Sequence, residues 1–303
     1  MSDPLFSPYV PEDFEQFWKQ IAEEAASVPL SFRRRPAVGV TAANGLRLDE
    51  IIFDSAEGHY VEGWIAYPNG ARRLPSFLWI PPYGRESLLP NAYGTRQGMV
   101  SLSLNLHGES AFHQEKYETE RGYFSDGALE PETWVFRRMI QHVLVALRVL
   151  QAQSEVDEDQ IAAMGMSQGG GMSIWAAMVS PILKAVCADM PFLGAMRFAL
   201  SRTAYRYPLK ELVDLMEEEA MGRERVMHTL SYFDTVNCAV NAKLPVQVSY
   251  GLKDPAVRPE TAQAIFDALP TQKRLVEYPG GHDWHEEMVE TNLDWLRTCG
   301  FSV

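Results

Sequence analysis

Only three cysteines, Cys187, Cys238 and Cys299, occur in 303 residues, and they are scattered and odd in number. That excludes a disulfide framework and a thiolate metal site, and predicts free thiols in a reducing compartment. No stretch approaches the roughly 20 apolar residues of a membrane-spanning helix. The opening Met1-Ser2-Asp3-Pro4 lacks the basic and apolar regions of a secretory leader, so a cytoplasmic location is expected. Positive charge is scarce as well. Against 40 Asp and Glu stand 27 Lys and Arg, a net charge of -13, which argues against nucleic acid or an anionic membrane as partner. Internal repeats, low-complexity tracts and long linkers are also missing. The chain is nonetheless 46% hydrophobic, enough to bury a large core, and a single domain over residues 1–303 is expected.

What is there alternates strand and helix. Residues 11–27 read as an amphipathic helix, opened by Pro11 and with Phe14, Phe17, Trp18 and Ile21 recurring on one side. Leu48–Phe53 and Tyr60–Tyr67, separated by Ala56-Glu57-Gly58, predict an antiparallel hairpin at the sheet edge. Phe77–Ile80, Val100–Leu106, Lys184–Ala188, Val246–Tyr250 and Arg274–Tyr278 read as buried core strands. Helices are expected at about Thr133–Gln153, with an inward face of Val135, Met139, Val143, Leu147 and Leu150, and at Pro259–Leu269 and Glu286–Arg297. A helix-rich insertion spans about 192–232, its Glu217-Glu218-Glu219 run solvated. Strands alternating with crossover helices predict the α/β class, with a doubly wound, mostly parallel sheet and N-terminal antiparallel strands.

The most specific local signal is Ile161-Ala162-Ala163-Met164-Gly165-Met166-Ser167-Gln168-Gly169-Gly170-Gly171. An apolar run ends in Gly-x-Ser-x-Gly and a helix-like segment follows, the context of a nucleophile elbow. Ser167 then needs a base, and the base an orienting carboxylate. Asp254 follows the strand at Val246–Tyr250, and His282 follows the strand at Arg274–Tyr278, in the Ser–Asp–His order this architecture requires. His285, three residues later, competes for the base role, and Asp283 is a weaker rival to Asp254. His107 and His113 come too early for the base and either line the pocket or pack a loop. Two oxyanion donors are expected: the N–H of Gln168, and that of Tyr83, the first N–H after Pro81-Pro82.

The chain closely resembles the acetyl xylan esterase / cephalosporin C deacetylase family of α/β-hydrolases. The resemblance rests on Pro11–Trp18, on Gly165-Met166-Ser167-Gln168-Gly169-Gly170, on Asp189–Leu193, Leu230–Asp234 and Gly251–Asp254. It implies an α/β-hydrolase fold with Ser167, Asp254 and His282 as nucleophile, acid and base, and Tyr83 and Gln168 as oxyanion donors. It further implies a serine carboxylesterase that removes acetyl or other small acyl groups from acetylated xylo-oligosaccharides or the acetoxymethyl group of cephalosporins, without metal or organic cofactor. Tyr83, Phe192, Tyr205 and Trp284 are candidate aromatic walls for a sugar, or simply core. A homo-oligomer, trimer or hexamer, is implied as well. The sequence departs from the family at Leu106-His107-Gly108-Glu109, where Arg-Gly-Gln-Gly is usual, in a shorter loop over Ser110–Pro131, and in His282-Asp283, where His-Glu is common. The alternative reading is a broad acyl hydrolase or a peptidase of the same fold.

Overall fold

Side chains on a strand point alternately to its two faces, and here both faces are apolar. A computed structural model describes residues 3–116, 122–201 and 205–303. After α1 (Phe14–Ser27) come β1 (Phe32–Pro36), β2 (Arg47–Asp54), β3 (Tyr60–Tyr67), β4 (Leu74–Ile80) and β5 (Val100–Leu104). There follow α2 (Val135–Gln151), β6 (Val156–Met166), α3 (Gln168–Val179) and β7 (Ala185–Asp189). Four helices, α4 (Met196–Ala199), α5 (Leu209–Glu218), α6 (Gly222–Phe233) and α7 (Thr235–Ala239), precede β8 (Val246–Gly251). The chain closes with α8 (Pro259–Ala268), β9 (Lys273–Tyr278) and α9 (Met288–Thr298).

The strands form one nine-stranded sheet in the order β1-β2-β3-β5-β4-β6-β7-β8-β9. Pairings from β5 through β9 are parallel, while β1–β2, β2–β3 and β3–β5 are antiparallel. Along β4, Leu78 and Ile80 join one core while Phe77 and Trp79 join the other; β6 splits Ile161 and Ala163 from Ala162 and Met164 in the same way. The larger core is covered by α1, α2, α3, α8 and the inserted helices, the smaller by α9 through Trp295 and Leu296.

The expected hairpin is present as β2 and β3, but it does not lie at the edge. β1, Phe32-Arg33-Arg34-Arg35-Pro36, pairs outside it. Its arginines and proline are what an exposed edge needs to refuse further strands, and they hid it from a search for apolar alternation. Arg34 also bridges Asp49 at 2.8 Å and Glu155 at 3.0 Å, which fastens the edge to the base of β6. The strand expected over Val100–Leu106 stops at Leu104, because the Asn105 side chain accepts the His107 N–H at 3.0 Å and turns the chain. Helix α2 is buried nearly all round rather than along one face, being packed between α1 and α3. Its polar groups serve α1: Arg137 and Gln141 reach Glu24 at 2.7 and 2.6 Å. Arg148 donates to the Ala25 and Val28 carbonyls, both at 2.8 Å, capping the C-terminal carbonyls that α1 leaves open.

The insertion runs past its expected limit of residue 232, and residues 202–204 of it lie outside the described residues. Fully buried Asp234 closes it. Its carboxylate accepts Ala195 N–H at 3.0 Å, Met196 N–H at 2.7 Å, Val236 N–H at 3.0 Å and Tyr9 O–H at 2.8 Å. These contacts hold a turn in which Leu193 and Ala195 both have positive φ. Among the described residues no helix is long and apolar enough to cross a membrane.

Trp18 of α1 is about 1% exposed and donates its indole N–H to Tyr232 O at 2.9 Å, pinning α1 to α6. Replacing it with alanine is expected to lower the unfolding free energy by about 3–5 kcal/mol, against within about 0.5 kcal/mol for exposed Lys19→Ala; equilibrium denaturation compares the two. Burial pushes the Asp234 carboxyl up to about 6 from an ordinary 3.8, despite the N–H donors that favour its charge. A proton held more tightly when folded gives a contribution that is fully present below the unfolded value and is lost as pH rises through the folded one. Stability measured in urea between pH 4 and 7 should therefore fall more steeply with pH in the wild type than in Asp234→Asn.

Candidate active site

The turn between β6 and α3 forces Ser167 into φ 57°, ψ -117°, a conformation that costs on the order of 1–3 kcal/mol and persists only where its surroundings fix it. They do so through the backbone. Ser167 N–H donates to Asp189 O at 2.9 Å, and Ser167 O accepts Gly171 N–H and Phe192 N–H, both at 3.0 Å. The strand end and the helix start touch so closely that side chains are excluded. A Cβ on Gly165 would meet Gly169 C at 2.4 Å, and one on Gly169 would meet Ile80 O at 2.0 Å. Ser167 is left half-buried beside the first turn of α3, whose leading N–H groups have no intrahelical partner.

Asp254 and His282 sit on the loops after β8 and β9, and the two loops are joined by their backbones. Leu252 N–H donates to Tyr278 O at 2.8 Å and Lys253 N–H to Gly280 O at 2.9 Å. Asp254 is 4% exposed. Its Oδ1 accepts Ala256 N–H at 2.8 Å and Val257 N–H at 2.9 Å, and its Oδ2 lies 2.6 Å from His282 Nδ1. A carboxylate can only accept, so Nδ1 carries the ring proton and Nε2 is free to take another. His282 and Ser167 line one cavity of about 660 Å³, with Tyr83, Phe192 and Tyr205 in its wall. No hydrogen bond joins Ser167 Oγ to the imidazole among the described residues.

The rival residues are occupied elsewhere. His285 stacks on Tyr278, ring centroids 4.8 Å apart, and Asp283 accepts the Trp284 N–H at 2.7 Å. His113 faces Glu109 at 3.2 Å and Glu115 at 3.6 Å. Trp284, expected as a possible wall, does not line the cavity. Two residues past His282 the chain has turned away, and its indole stacks on Tyr93 at 5.1 Å and contacts Trp79 at 5.7 Å beside the smaller core. His107 packs a loop: its Nε2 lies 3.1 Å from Gly84 O and its ring meets Tyr123 edge-on at 4.5 Å.

Tyr83 and Gln168, the expected oxyanion donors, are connected by residues that local patterns did not reveal. The buried Tyr123 phenol donates to Gln168 Oε1 at 2.9 Å and accepts Gly84 N–H at 3.1 Å, so it spans from the start of α3 to the Tyr83–Gly84 loop. Its ring stacks on Tyr83 at 4.6 Å. On α5, Glu211 is 1% exposed and its carboxylate gathers four donors. These are Tyr83 O–H at 2.9 Å, Gly122 N–H at 2.9 Å, Phe124 N–H at 3.0 Å and Ser125 N–H at 3.4 Å. Burial, followed by the nearby Glu211 charge, pushes the Tyr83 phenol well above its ordinary value, so it stays a donor. Part of the loop over Ser110–Pro131, residues 117–121, lies outside the described residues.

A second buried network supports the floor. Asp189 accepts Ser249 O–H at 2.5 Å and Asn292 N–H at 3.0 Å; Asn292 accepts from Gln247 at 2.5 Å, and Gln247 from Arg274 at 2.7 Å. It ties β7, β8, β9 and α9 together beneath the carbonyl that holds Ser167. Among the described residues no group of three or more His, Cys, Asp or Glu is placed to hold a metal ion.

Comparison with known proteins is consistent across sequence and structure. Residues 7–298 match the acetyl xylan esterase (AXE1) family model. The chain is 25% identical to Axe7A, an acetyl esterase of Xylanibacter ruminicola, over 98% of its own length and 69% of that protein's. Its fold is similar to that of the acetyl xylan esterase from Paenibacillus sp. R4, with TM-score 0.85 and 23% identity over 97% of each chain. It is also similar to acetyl xylan esterase 1 of a Thermoanaerobacterium species, with TM-score 0.78 and 20% identity over 97% of this chain and 95% of that one. With an α/β-hydrolase sheet and a family match over nearly its whole length, the chain belongs to the acetyl xylan esterase family and is a carboxylic ester hydrolase.

Proposed function

We propose that the chain is a serine esterase that removes acetyl and other small acyl groups from acetylated sugars such as xylo-oligosaccharides, and from the acetoxymethyl group of cephalosporins. The observation that carries the mechanism is the Asp254–His282 pair at 2.6 Å in the cavity that Ser167 enters from its strained turn. Ser167 Oγ attacks the ester carbonyl carbon while His282 Nε2 takes its proton. Asp254 fixes the imidazole tautomer and stabilises the imidazolium. The carbonyl oxygen gathers negative charge beside the N–H groups of Gln168 and Tyr83, whose positions are set before substrate arrives and need no reorganisation. Collapse breaks the bond to the alcohol oxygen, which leaves with the proton from His282. Water then gives its proton to the same nitrogen and attacks the acetyl-serine; collapse breaks the carbonyl carbon–Oγ bond, Ser167 Oγ takes the proton back from His282, and acetate departs.

A cavity of about 660 Å³ lies within the usual range for small-molecule sites and accommodates a sugar unit against Tyr83, Phe192 and Tyr205. The relatives' names point to acetyl esters, and the unbroken order Ser167, Asp254, His282 supports a covalent route.

Initial rates with p-nitrophenyl acetate, butyrate and octanoate test the reading. Rates are expected to fall steeply beyond acetate. Ser167→Ala should lower kcat by about 10⁶-fold and Asp254→Asn by about 10⁴-fold, the scale of such losses in other serine hydrolases. Rates that rise with acyl length would remove the small-acyl assignment, and retained activity in Ser167→Ala would remove the serine mechanism. Glu211→Gln replaces an acceptor by a group that also donates, and so releases part of the Tyr83 loop. Its kcat for p-nitrophenyl acetate is expected to fall about 10–100-fold, somewhat less than loss of a whole oxyanion donor. Circular dichroism and steady-state kinetics on the same sample separate this effect from unfolding.

A further inference from the structure

The charges around the cavity do not follow those of the protein. The chain carries a net charge of -13, yet among the described residues no Asp or Glu lines the cavity. Its ionic lining, apart from His282, is Arg206 and Arg258. Arg206 lies just ahead of α5, and Arg258 caps the start of α8. Among the described residues neither guanidinium has an ion-pair or side-chain hydrogen-bond partner; Arg33, Arg72, Arg138 and Arg223 share that state, and what sets Arg206 and Arg258 apart is their place in the cavity lining. Two carboxylates adjacent in sequence or contact to lining residues are engaged: Asp254 by two N–H groups and His282, and Glu211 by Tyr83 O–H and three backbone N–H groups. Two unpaired arginines in the lining of this cavity, in a protein with excess negative charge, match an anion on the incoming molecule. A neutral acetylated sugar would engage them only through ordinary hydrogen bonds, whereas a carboxylate adds charge to those bonds, in a protein whose net charge of -13 disfavours an acid at long range.

We infer that Arg206 and Arg258 select acetyl esters whose alcohol part carries a carboxylate, such as an acetylated uronic sugar or an acetoxymethyl cephem acid. This rests on the esterase reading above, which already includes cephalosporins; what it adds is the preference for an acid over its ester and the two arginines that give it. Arginine suits the task because its planar fork meets both carboxylate oxygens at once and stays charged at every working pH. The attraction acts on capture of the substrate, so it raises kcat/KM and weakens with added salt as the Debye length shrinks from about 10 Å at 0.1 M to about 3 Å at 1 M.

The test compares kcat/KM for two matched pairs: an acetylated methyl glucopyranosiduronic acid with its methyl ester, and an acetoxymethyl cephem acid with its methyl ester. Each ratio is taken within one protein sample, so a general loss of folding or of serine reactivity cancels. In the wild type at low salt, at least one acid is expected to exceed its ester by about tenfold. The ratio should fall to near one in Arg206→Gln/Arg258→Gln, and toward one in 1 M salt. Preference within the sugar pair alone identifies a uronic substrate, and within the cephem pair alone a cephem acid. A ratio of one or less for both pairs overturns the inference, as does a preference that survives the double substitution. Hydrolysis of p-nitrophenyl acetate that disappears in Ser167→Ala leaves the esterase reading intact in either case, so the two failures are distinguishable.

Discussion

Everything at the site depends on a backbone contact that admits no side chain. The end of β6 and the first turn of α3 meet at Gly165 and Gly169, and Gly169 also lies against the carbonyl of Ile80 at the end of β4. This approach lets the chain reverse from strand to helix in a single strained residue, Ser167. It places the first N–H groups of α3 beside the serine and brings the β4 end, with the Tyr83 loop that follows, against the same helix. A larger residue at either glycine would separate the three parts together. The strain is sustained by hydrogen bonds from β7 and the Phe192 turn, and the Asp189 network beneath braces those strands against α9. Buried carboxylates of this kind are costly unless satisfied, and both oxygens of Asp189 have a donor, Ser249 on one and Asn292 on the other.

The sequence made the scaffold legible where burial dictates period. β2, β3, β4, β7, β8 and β9 lie within a few residues of their expected places, because a strand covered on both faces must be apolar and bounded by turn residues. The places of Ser167, Asp254 and His282 just beyond β6, β8 and β9 were legible in the same way, since each follows a readable core strand. What escaped notice is equally physical. β1 carries arginines because it is an edge, so it showed none of the apolar alternation of a strand. The all-round burial of α2 depends on polar partners in α1 that lie more than a hundred residues away. Trp284 shares a loop with His282, but sequence proximity does not fix direction, and the ring packs on Trp79 and Tyr93 instead of lining the cavity.

Tyr123 and Glu211 escaped for a further reason. Neither belongs to a motif, and their importance is the product of three segments meeting: the loop after β4, the turn at 122–125 and α5. A tyrosine in a loop and a glutamate on a helix beside a solvated acidic run are unremarkable until their partners are known. The two work in a complementary way. Tyr123 bridges the serine side of the site to Gly84, and Glu211 draws Tyr83 and the 122–125 turn toward the insertion.

That last connection constrains how such a protein can change. An insertion after a core strand is the obvious segment to exchange when a cavity is to be reshaped, because the sheet does not need it. In this chain the exchange is not modular. Removing α5 would strip the acceptor from a phenol and three backbone amides at once, and those amides and that phenol belong to loops that frame the cavity. A transplanted segment would have to bring a buried carboxylate to the same spot, so the shape of the cavity and the placing of the Tyr83 loop are inherited together.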